Sequence, residues 1–431
     1  MKVFSLPVTH PSFFDAIIRF FKIFHRYKLT SKKAGPQLRD FSEFFRQNNI
    51  ETTFAVTAKV LERHPKLLNQ IARENIELAI HGYRHIDYSR LSKELQLRHF
   101  EKAVEIFRKN EIPLSGFRFP YLRYNRRSNY IPYANLFDYL SNDAILWNPP
   151  EATGFPKRKQ RSYQTMLNLY DYKPSEKNIS LPRYQDNILN IPISLPDDDL
   201  LIDRLGIKDA SALYHIWNDI LKQTYQRGEL FNLSVHPERF PFYGEAIEAL
   251  LQINHALNPK IWVASLKSIH DWWKEKEEFR IEINQDGNDE YIIHAHCSKR
   301  ASVLIKSKDS NNGNFFKGYT IAENNVFTIK SRKRPVIGVS PKSSPQLTDF
   351  LKNEGFIFET SSAKDDYSVF LEGLETFNEK DEMRTLQEID HIHSPLIRFW
   401  RWPDRCRSAL SISCDIDAFT SIDFLLRLFG H

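Results

Sequence analysis

The stretch that decides the fold occupies residues 52–85 and reads TTFAVTAKVLERHPKLLNQIARENIELAIHGYRH. An apolar, β-branched run at 52–57 is followed by a helical pattern at 65–74 and by a second apolar run at 76–80. This order predicts strand, helix, strand, which is the unit from which parallel sheets are built. The HGYRH segment comes directly after the second predicted strand, at the end where parallel sheets and barrels carry their chemistry.

The same alternation continues on both sides of this unit. Further elements are predicted as strands at 2–8, 188–193 and 230–235, and as helices at 13–26, 36–48, 92–110, 210–227 and 242–257. The segment 147–181 is rich in Pro, Lys, Asn and Tyr and lacks periodicity, so we predict a long surface loop there. The pattern indicates an α/β fold with a parallel sheet or barrel.

Composition excludes several classes of protein. The 431 residues are 41% hydrophobic and 26% charged, as in folded globular proteins. No two of the 14 glycines stand two residues apart, which excludes a G-x-G-x-x-G dinucleotide loop. A net charge of +6 with interspersed signs gives no indication of nucleic-acid binding. Three cysteines, no secretory signal pattern and no long uncharged apolar run predict a cytoplasmic protein without a transmembrane segment.

The first candidate site is the H-x-x-x-H motif formed by His81 and His85. In a helix such a pair lies on one face with Cβ atoms about 6 Å apart, which lets two imidazoles bind one metal ion. The alternative is two unrelated histidines on a helix, in a chain that holds 15 of them. Both interpretations stay open on this motif alone.

Three further segments place polar residues at or just beyond predicted strands. FRFPY at 117–121 places Arg118 where its guanidinium can orient a carboxylate. LSVHPER at 233–239 places His236 at a strand end, where it can donate a proton. CDIDA at 414–418 ends an apolar strand with Asp415 and Asp417, and alternation points both carboxylates to the same side. The alternatives are that Arg118 is an ordinary loop arginine and that His236 is a hydrogen-bonded histidine at a strand end. The carboxylates of Asp415 and Asp417 could likewise be solvated or cap a helix.

Taken together, these segments resemble the polysaccharide deacetylase family, the metal-dependent deacetylases with a NodB-homology domain (carbohydrate esterase family 4-like). The family's H-x-x-x-H, R-x-P-Y and late histidine occur here in family order. The family's aspartate pair belongs to its first strand, whereas the D-x-D of this chain follows a strand near its C-terminal end. The resemblance therefore implies a circular permutation, in which the strand at 408–414 docks between the first and last remaining strands of a distorted (β/α)7-type barrel.

The resemblance also implies a metal site. Asp417, His81 and His85 would bind one divalent metal ion and leave positions open for water and substrate. Zn is the expected metal for two imidazoles and a carboxylate, and Co, Mn, Fe or Ni would also fit.

Catalytic roles follow from the same resemblance. Asp415 would act as the general base on the attacking water, and Arg118 would hold Asp415 ionised and in place. The backbone N–H of Tyr121 would stabilise the oxyanion, and His236 would protonate the departing amine. Pro120 and Trp147 are expected to bind substrate, although the family's aspartate and tryptophan beyond R-x-P-Y are only partly matched by Asp143 and Trp147.

The chain divides into segments that differ in the order of their predicted strands and helices. We predict a deacetylase-like barrel at 1–277, a small antiparallel β module at 278–333, and a strand-helix-strand segment with a connection at 334–395. Residues 396–431 would return to complete the barrel.

The function predicted from these features is hydrolysis of a non-peptide C–N bond, in particular an acetamido bond. An N-acetylated sugar is favoured by the resemblance, and a cytosolic precursor, a lipid-linked sugar or a small cyclic amide also fits a cytoplasmic chain. The alternative is a non-catalytic binding or scaffolding protein with a vestigial barrel and an interacting β module. The expected partner is a small-molecule or saccharide substrate and not nucleic acid, and the sequence does not indicate the oligomeric state.

Overall fold

The computed structural model describes residues 31–72, 75–124, 136–149, 154–185, 187–287, 289–306 and 315–428. The strand predicted at 2–8 and the helix predicted at 13–26 lie outside these residues. The α-helices within them are α1 (Ser31–Gln47), α2 (Ala58–Arg63), α3 (Pro65–Ile71), α4 (Lys93–Lys109), α5 (Lys157–Tyr170), α6 (Ala210–Arg227), α7 (Phe240–Ala256), α8 (Leu266–Lys276), α9 (Pro345–Glu354), α10 (Glu379–His391) and α11 (Ser421–Leu428). Among these described helices, none is both long and apolar enough to cross a membrane.

The strands fall into three groups along the chain. The first group is β1 (Thr52–Val56), β2 (Ile76–Ile80), β3 (Gly116–Phe117), β4 (Tyr139–Leu140), β5 (Ala144–Leu146), β6 (Lys173–Pro174), β7 (Arg183–Gln185), β8 (Ile188–Asn190), β9 (Ile193–Leu195), β10 (Leu230–Val235) and β11 (Ile261–Val263). The second group is β12 (Arg280–Gln285), β13 (Glu290–His296), β14 (Val303–Lys306), β15 (Tyr319–Ile321), β16 (Val326–Lys330), β17 (Arg334–Val339), β18 (Phe358–Thr360), β19 (Tyr367–Leu371) and β20 (Leu396–Phe399). The last strand is β21 (Ser408–Ile416).

The first and last groups form one large curled sheet. Its strand order is β6-β5-β9-β10-β21-β1-β2-β3-β4-β8-β7, and β11 also pairs with β21. The neighbouring pairs are parallel except β7 with β8. The α/β fold predicted from strand-helix alternation is therefore confirmed, with the sheet curled as in a half-barrel.

Strand β21 lies in the middle of this sheet although it comes from the far end of the chain. It pairs with β10 on one side, where Cys414 is opposite Val235, and with β1 on the other, where Ile416 is opposite Val56. All nine of its residues are buried, as expected for a parallel strand that is covered on both faces. The strand at 408–414 was predicted to dock between the first and last remaining strands of the barrel, and in the described sheet it lies between β1 and β10.

One sequence prediction about the fold is wrong. Helix α5 and strand β6 lie within the segment 147–181, where a long surface loop was expected. Helix α5 buries only Met166, Leu167 and Tyr170, and its other residues are polar or half-exposed. Because its apolar face is this narrow, the helical period is hard to see among the Lys, Arg and Gln residues that surround it.

The second group of strands forms three small sheets beyond the large one, with the orders β12-β13-β16, β15-β14-β20 and β18-β17-β19. The antiparallel pairing of β12 with β13 and of β13 with β16 agrees with the module predicted at 278–333. Strand β20 pairs with β14, so residues 396–399 belong with the small sheets, and the return to the large sheet begins at Ser408. In other respects the predicted division into domains stays a prediction.

A buried ion cluster lies where the small sheets meet the large one. Glu354 at the end of α9 contacts Arg398 (Nη2–Oε2 3.1 Å) and Arg401 (Nη2–Oε2 2.5 Å), and all three side chains are at most 1% exposed. Arg401 also donates to the carbonyl of Gly228 beyond α6 (3.1 Å). Trp402 donates to the same carbonyl (2.8 Å), and its side chain is fully buried.

Replacing Glu354 tests how much this cluster contributes to stability. In the variant Glu354→Gln, two buried guanidinium groups lose their counter-charge, so the free energy of unfolding should fall by about 3–5 kcal/mol. A urea unfolding curve measures the change. The matched control is Glu388→Gln, which removes an exposed carboxylate next to Arg384 and should leave the midpoint unchanged. Equal midpoints for the two variants would contradict the assigned role of the cluster.

Candidate active site

The candidate residues lie at one edge of the large sheet because neighbouring parallel strands end together. Ile80, the last residue of β2, pairs with Phe117, the last residue of β3, and β1 connects β2 to β21. The next residues along the chain are His81, Arg118 and Asp417. These three side chains therefore start from the carboxyl ends of three strands.

The histidine motif is not helical in the structure. Residues 81–87 form an irregular loop, and Gly82 adopts a positive φ of 72°. A Cβ atom at this position would lie 2.8 Å from the hydroxyl of Tyr88, which accepts a hydrogen bond from the N–H of Tyr83. The loop still brings His81 and His85 together, with ring centroids 5.2 Å apart. The expectation of a helix was wrong, whereas the expected proximity of the imidazoles is observed.

The carboxylate of Asp417 contacts both imidazoles. Its Oδ1 lies 3.4 Å from Nε2 of His81, and its Oδ2 lies 3.2 Å from Nε2 of His85. One ligand atom from each of the three residues lies within 4.8 Å of the others, which is the spacing of a metal-binding group. The three residues named from the sequence as ligands are thus in one place.

The tautomer of His81 suits a metal ligand. Nδ1 of His81 lies 3.0 Å from the backbone carbonyl of Arg118, so this nitrogen carries the proton and donates it. Nε2 then presents a lone pair, and it has no hydrogen-bond partner among the described residues although the side chain is only 2% exposed. A carbonyl that orients the other ring nitrogen is the usual surrounding of a metal-bound histidine. The residues present therefore fit a divalent metal ion.

Asp415 is held next to this group by Arg118. Nη1 of Arg118 donates to Oδ1 of Asp415 (2.6 Å), while Nη2 donates to the hydroxyls of Ser413 (2.9 Å) and Ser141 (3.0 Å). Oδ2 of Asp415 lies 4.0 Å from Nε2 of His81. Because the guanidinium is buried and held on three sides, it fixes the position of this second carboxylate.

The R-x-P-Y segment turns sharply beside the imidazoles. Tyr121 has a left-handed backbone (φ 57°, ψ 13°), and its ring centroid lies 4.4 Å from that of His85. Pro120 is buried at the first position of this short turn. The backbone of Phe119 is fixed by the amide oxygen of Asn142, which accepts its N–H (2.7 Å).

His236 follows β10, the strand that pairs with β21 on the side opposite β1. Its Nδ1 lies 2.7 Å from Oδ1 of Asp198, and its backbone N–H donates to Oδ2 of the same residue (2.8 Å). Burial of the imidazole opposes protonation, but the charge of Asp198 outweighs it and raises the pKa of His236 to about 10. His236 therefore carries a proton at neutral pH.

Sequence reasoning missed Asp198 and Arg239, which form the surroundings of His236. Arg239 contacts Asp198 (3.3 Å), Asp199 (2.9 Å) and Asp203 (2.7 Å), so one guanidinium neutralises several carboxylates. Burial, followed by the charges of Asp199 and Asp198, raises the pKa of Asp197 to about 7. Three consecutive aspartates shortly after an apolar run were the signal that could have identified this cluster.

Trp147, which was expected to bind substrate, is fully buried. Its side chain is 0% exposed and belongs to the main core, with the guanidinium of Arg227 5.1 Å from its ring. In this conformation it presents no ring face to a substrate. Asp143 is also buried and contacts Lys173 (3.3 Å).

Comparisons with known proteins agree with this geometry. Residues 36–137 match the family model described as polysaccharide deacetylase. The resemblance predicted from the sequence is thereby confirmed for these residues, and the match supports the predicted class, a hydrolase of amide bonds. The matched segment contains the histidine pair and R-x-P-Y, whereas the aspartate pair lies outside it. No curated protein matches the chain in sequence.

Solved structures similar to this chain include three with low sequence identity. A probable polysaccharide deacetylase from Pseudomonas aeruginosa PAO1 is 16% identical, with 62% of this chain and 78% of that chain covered and a TM-score of 0.46. Puue allantoinase is 15% identical, with 60% and 76% covered and a TM-score of 0.43. A Mycobacterium smegmatis protein assigned to the polysaccharide deacetylases is 15% identical, with 57% and 78% covered and a TM-score of 0.41.

The unusual protonation of His236 can be tested directly. Replacing Asp198 with Asn removes the charge that raises the pKa and leaves burial and Arg239, which both lower it, so the pKa of His236 should fall from about 10 to below its ordinary value. Titration of the His236 ring by NMR measures this shift. Asp203→Asn, which removes a carboxylate that contacts Arg239 but not His236, should lower the pKa less. A pKa of His236 near 6.5 in the wild-type protein would show that the pair is not ionised as described.

Proposed function

We propose that this chain is a metal-dependent hydrolase that removes an acyl group from the nitrogen of a non-peptide amide, in particular an acetyl group from an N-acetylated sugar or a related small or lipid-linked amide. The proposal rests on one observation: the side chain of Asp417 contacts those of His81 and His85, next to the ion pair of Asp415 with Arg118. A buried group of this kind costs desolvation free energy that packing does not require. This cost supports an enzyme over a scaffold with a vestigial barrel.

His81, His85 and Asp417 would hold one divalent ion, and two imidazoles with one carboxylate suit Zn, with Co, Mn, Fe or Ni as alternatives. When bound, such an ion polarises an amide carbonyl and makes a neighbouring water more acidic. The carbonyl of Arg118 keeps the donor nitrogen of His81 facing the group.

Asp415 would accept the proton of the attacking water. Its Oδ1 is occupied by Arg118, while its Oδ2 lies toward His81, so the second oxygen faces the site. The buried guanidinium of Arg118 fixes the position of this carboxylate beside the ligands.

His236 would donate the proton that the departing amine needs. Because its pKa is raised to about 10, it is protonated at the pH where Asp415 must be ionised, and the two groups can act as acid and base together. The backbone of Tyr121, in its left-handed turn against His85, would orient the acyl oxygen.

The position of the two aspartates in the chain supports a circular permutation of the family's barrel. The strand that carries both aspartates, β21, is the last strand of the described chain and pairs with β1. A cytoplasmic location is also part of the proposal, because Cys297, Cys406 and Cys414 are free thiols. In that compartment a sugar precursor, a lipid-linked sugar or a cyclic amide would be the substrate.

The variant Asp415→Asn tests the role of the base. It should lower the rate of acetate release from N-acetylglucosamine oligomers by roughly 10²–10⁴-fold, because the water loses its proton acceptor, yet it should retain bound zinc. Elemental analysis after dialysis against zinc measures the metal.

Asp417→Asn is the matched control, since it should lose both zinc and activity. Full activity of the Asp415 variant would refute the assigned base. A wild-type protein that holds no zinc, cobalt, manganese, iron or nickel and releases no acyl group from any amide would refute the proposed function.

A further inference from the structure

Helix α2 contacts both halves of the candidate metal site, although it holds none of the site residues. At its N-terminal end, the N–H of Ala58 donates to the carbonyl of Gly82 (2.9 Å) and the N–H of Lys59 donates to that of Tyr83 (3.0 Å). Both carbonyls belong to the loop between the two histidines. The first turn of α2 therefore holds the imidazole-bearing loop through two backbone hydrogen bonds.

The other end of α2 binds a carboxylate of helix α11. Nη1 of Arg63 donates to Oδ1 of Asp423 (2.6 Å), and Nε2 of His64, directly after α2, lies 3.0 Å from Oδ2. The ring of His64 also packs against Phe419, with centroids 5.0 Å apart. The C-terminal segment is thus attached to the same six-residue helix as the histidine loop.

Asp423 also fixes the turn that leads out of the site. Its Oδ2 accepts the N–H of Phe419 (3.3 Å) and both the N–H (2.8 Å) and the hydroxyl (2.9 Å) of Thr420. In return, the hydroxyl of Thr420 accepts the N–H of Asp423 (3.1 Å), which forms a cap at the start of α11. Hydrogen bonds from His64 and Thr420 outweigh burial and lower the pKa of Asp423 to about 2, so the group is ionised at neutral pH.

Only five residues separate this carboxylate from the candidate ligand Asp417. Asp417 has a second connection to α2 through Thr57, which precedes the helix. The hydroxyl of Thr57 donates to the carbonyl of Asp417 (3.4 Å), and the N–H of Thr57 donates to that of Ile416 (3.3 Å). The backbone of the ligand is therefore held between the start of α2 and the turn fixed by Asp423.

We propose that Asp423 is a positioning residue for the metal site and that it acts through helix α2. This helix is about 9 Å long and holds the histidine loop at one end. At its other end it holds the segment of Asp417 through Asp423. This inference rests on the proposed function, in which Asp417 is a metal ligand. Groups that orient a ligand without touching the metal change metal affinity by about 10–100-fold when removed. A residue that only capped α11 would change stability without such a loss.

The chain provides a matched control for the cap. Helix α10 begins with a cap of the same kind, in which Asp381 accepts the N–H of Asn378 (3.0 Å), and this helix contributes no residue to the candidate site. Asp381→Ala therefore removes a capping carboxylate without touching α2. A second variant, Arg63→Met combined with His64→Leu, leaves the cap of α11 intact and removes both side-chain attachments of Asp423 to the end of α2.

The experiment measures zinc affinity by competition with a chelating dye in the full-length wild-type protein and in the three variants, at a temperature where each is folded. Asp423→Ala should bind zinc at least tenfold more weakly, and hydrogen exchange at Phe419 and Thr420 should be faster. The double variant Arg63→Met, His64→Leu should also weaken zinc binding, by a smaller factor. Asp381→Ala should bind zinc within about twofold of the wild-type affinity.

Four results would overturn the inference or its basis, and they can be told apart. If Asp423→Ala binds zinc as tightly as the wild-type protein, or if Asp381→Ala weakens binding as much as Asp423→Ala does, Asp423 is not a positioning residue. If Asp423→Ala does not fold, unchanged affinity in the double variant of Arg63 and His64 refutes the positioning role. If the wild-type protein binds none of zinc, cobalt, manganese, iron or nickel, the proposed function itself fails.

Discussion

Parallel pairing of β21 with β10 and β1 is the constraint on which the rest of the structure depends. This one strand fills the centre of the large sheet, and the carboxylates of Asp415 and Asp417 start from its carboxyl end. Without it, β1 and β10 would each expose an unpaired edge. The histidine loop and Arg118 would also lack the carboxylates that they face. The strand that joins the two parts of the sheet therefore also completes the site.

The site combines buried charges of both signs, and each is balanced by a specific neighbour. Arg118 is matched by Asp415, and protonated His236 is matched by Asp198. The imidazoles of His81 and His85 face the carboxylate of Asp417. Because an unmatched buried charge costs several kcal/mol, these pairs fix the geometry of the site.

The sequence predicted the parts of this structure that repeat with a regular period. The bounds of β2, β10 and α6 were predicted to the residue, because each combines a clear period with capping or turn residues at its ends. Helix α5 was missed, since its apolar face is only three residues wide. His81 and His85 were found by spacing, although a loop with a left-handed Gly82 brings them together rather than a helix. Three consecutive aspartates mark the Asp198 cluster, but the contacts of Asp198 with His236 and of Asp423 with Arg63 and His64 join residues far apart in the chain, which no local pattern indicates.

In the proposed site, Asp417 after β21 completes a metal-binding group that begins with the histidine motif. Anomalous X-ray scattering at the zinc edge, from crystals of the full chain grown with zinc, locates the ion. One strong peak is expected within bonding distance of His81, His85 and Asp417, with Asp415 still bound to Arg118. A structure without a peak between these three residues, or with zinc bound only elsewhere, would contradict it.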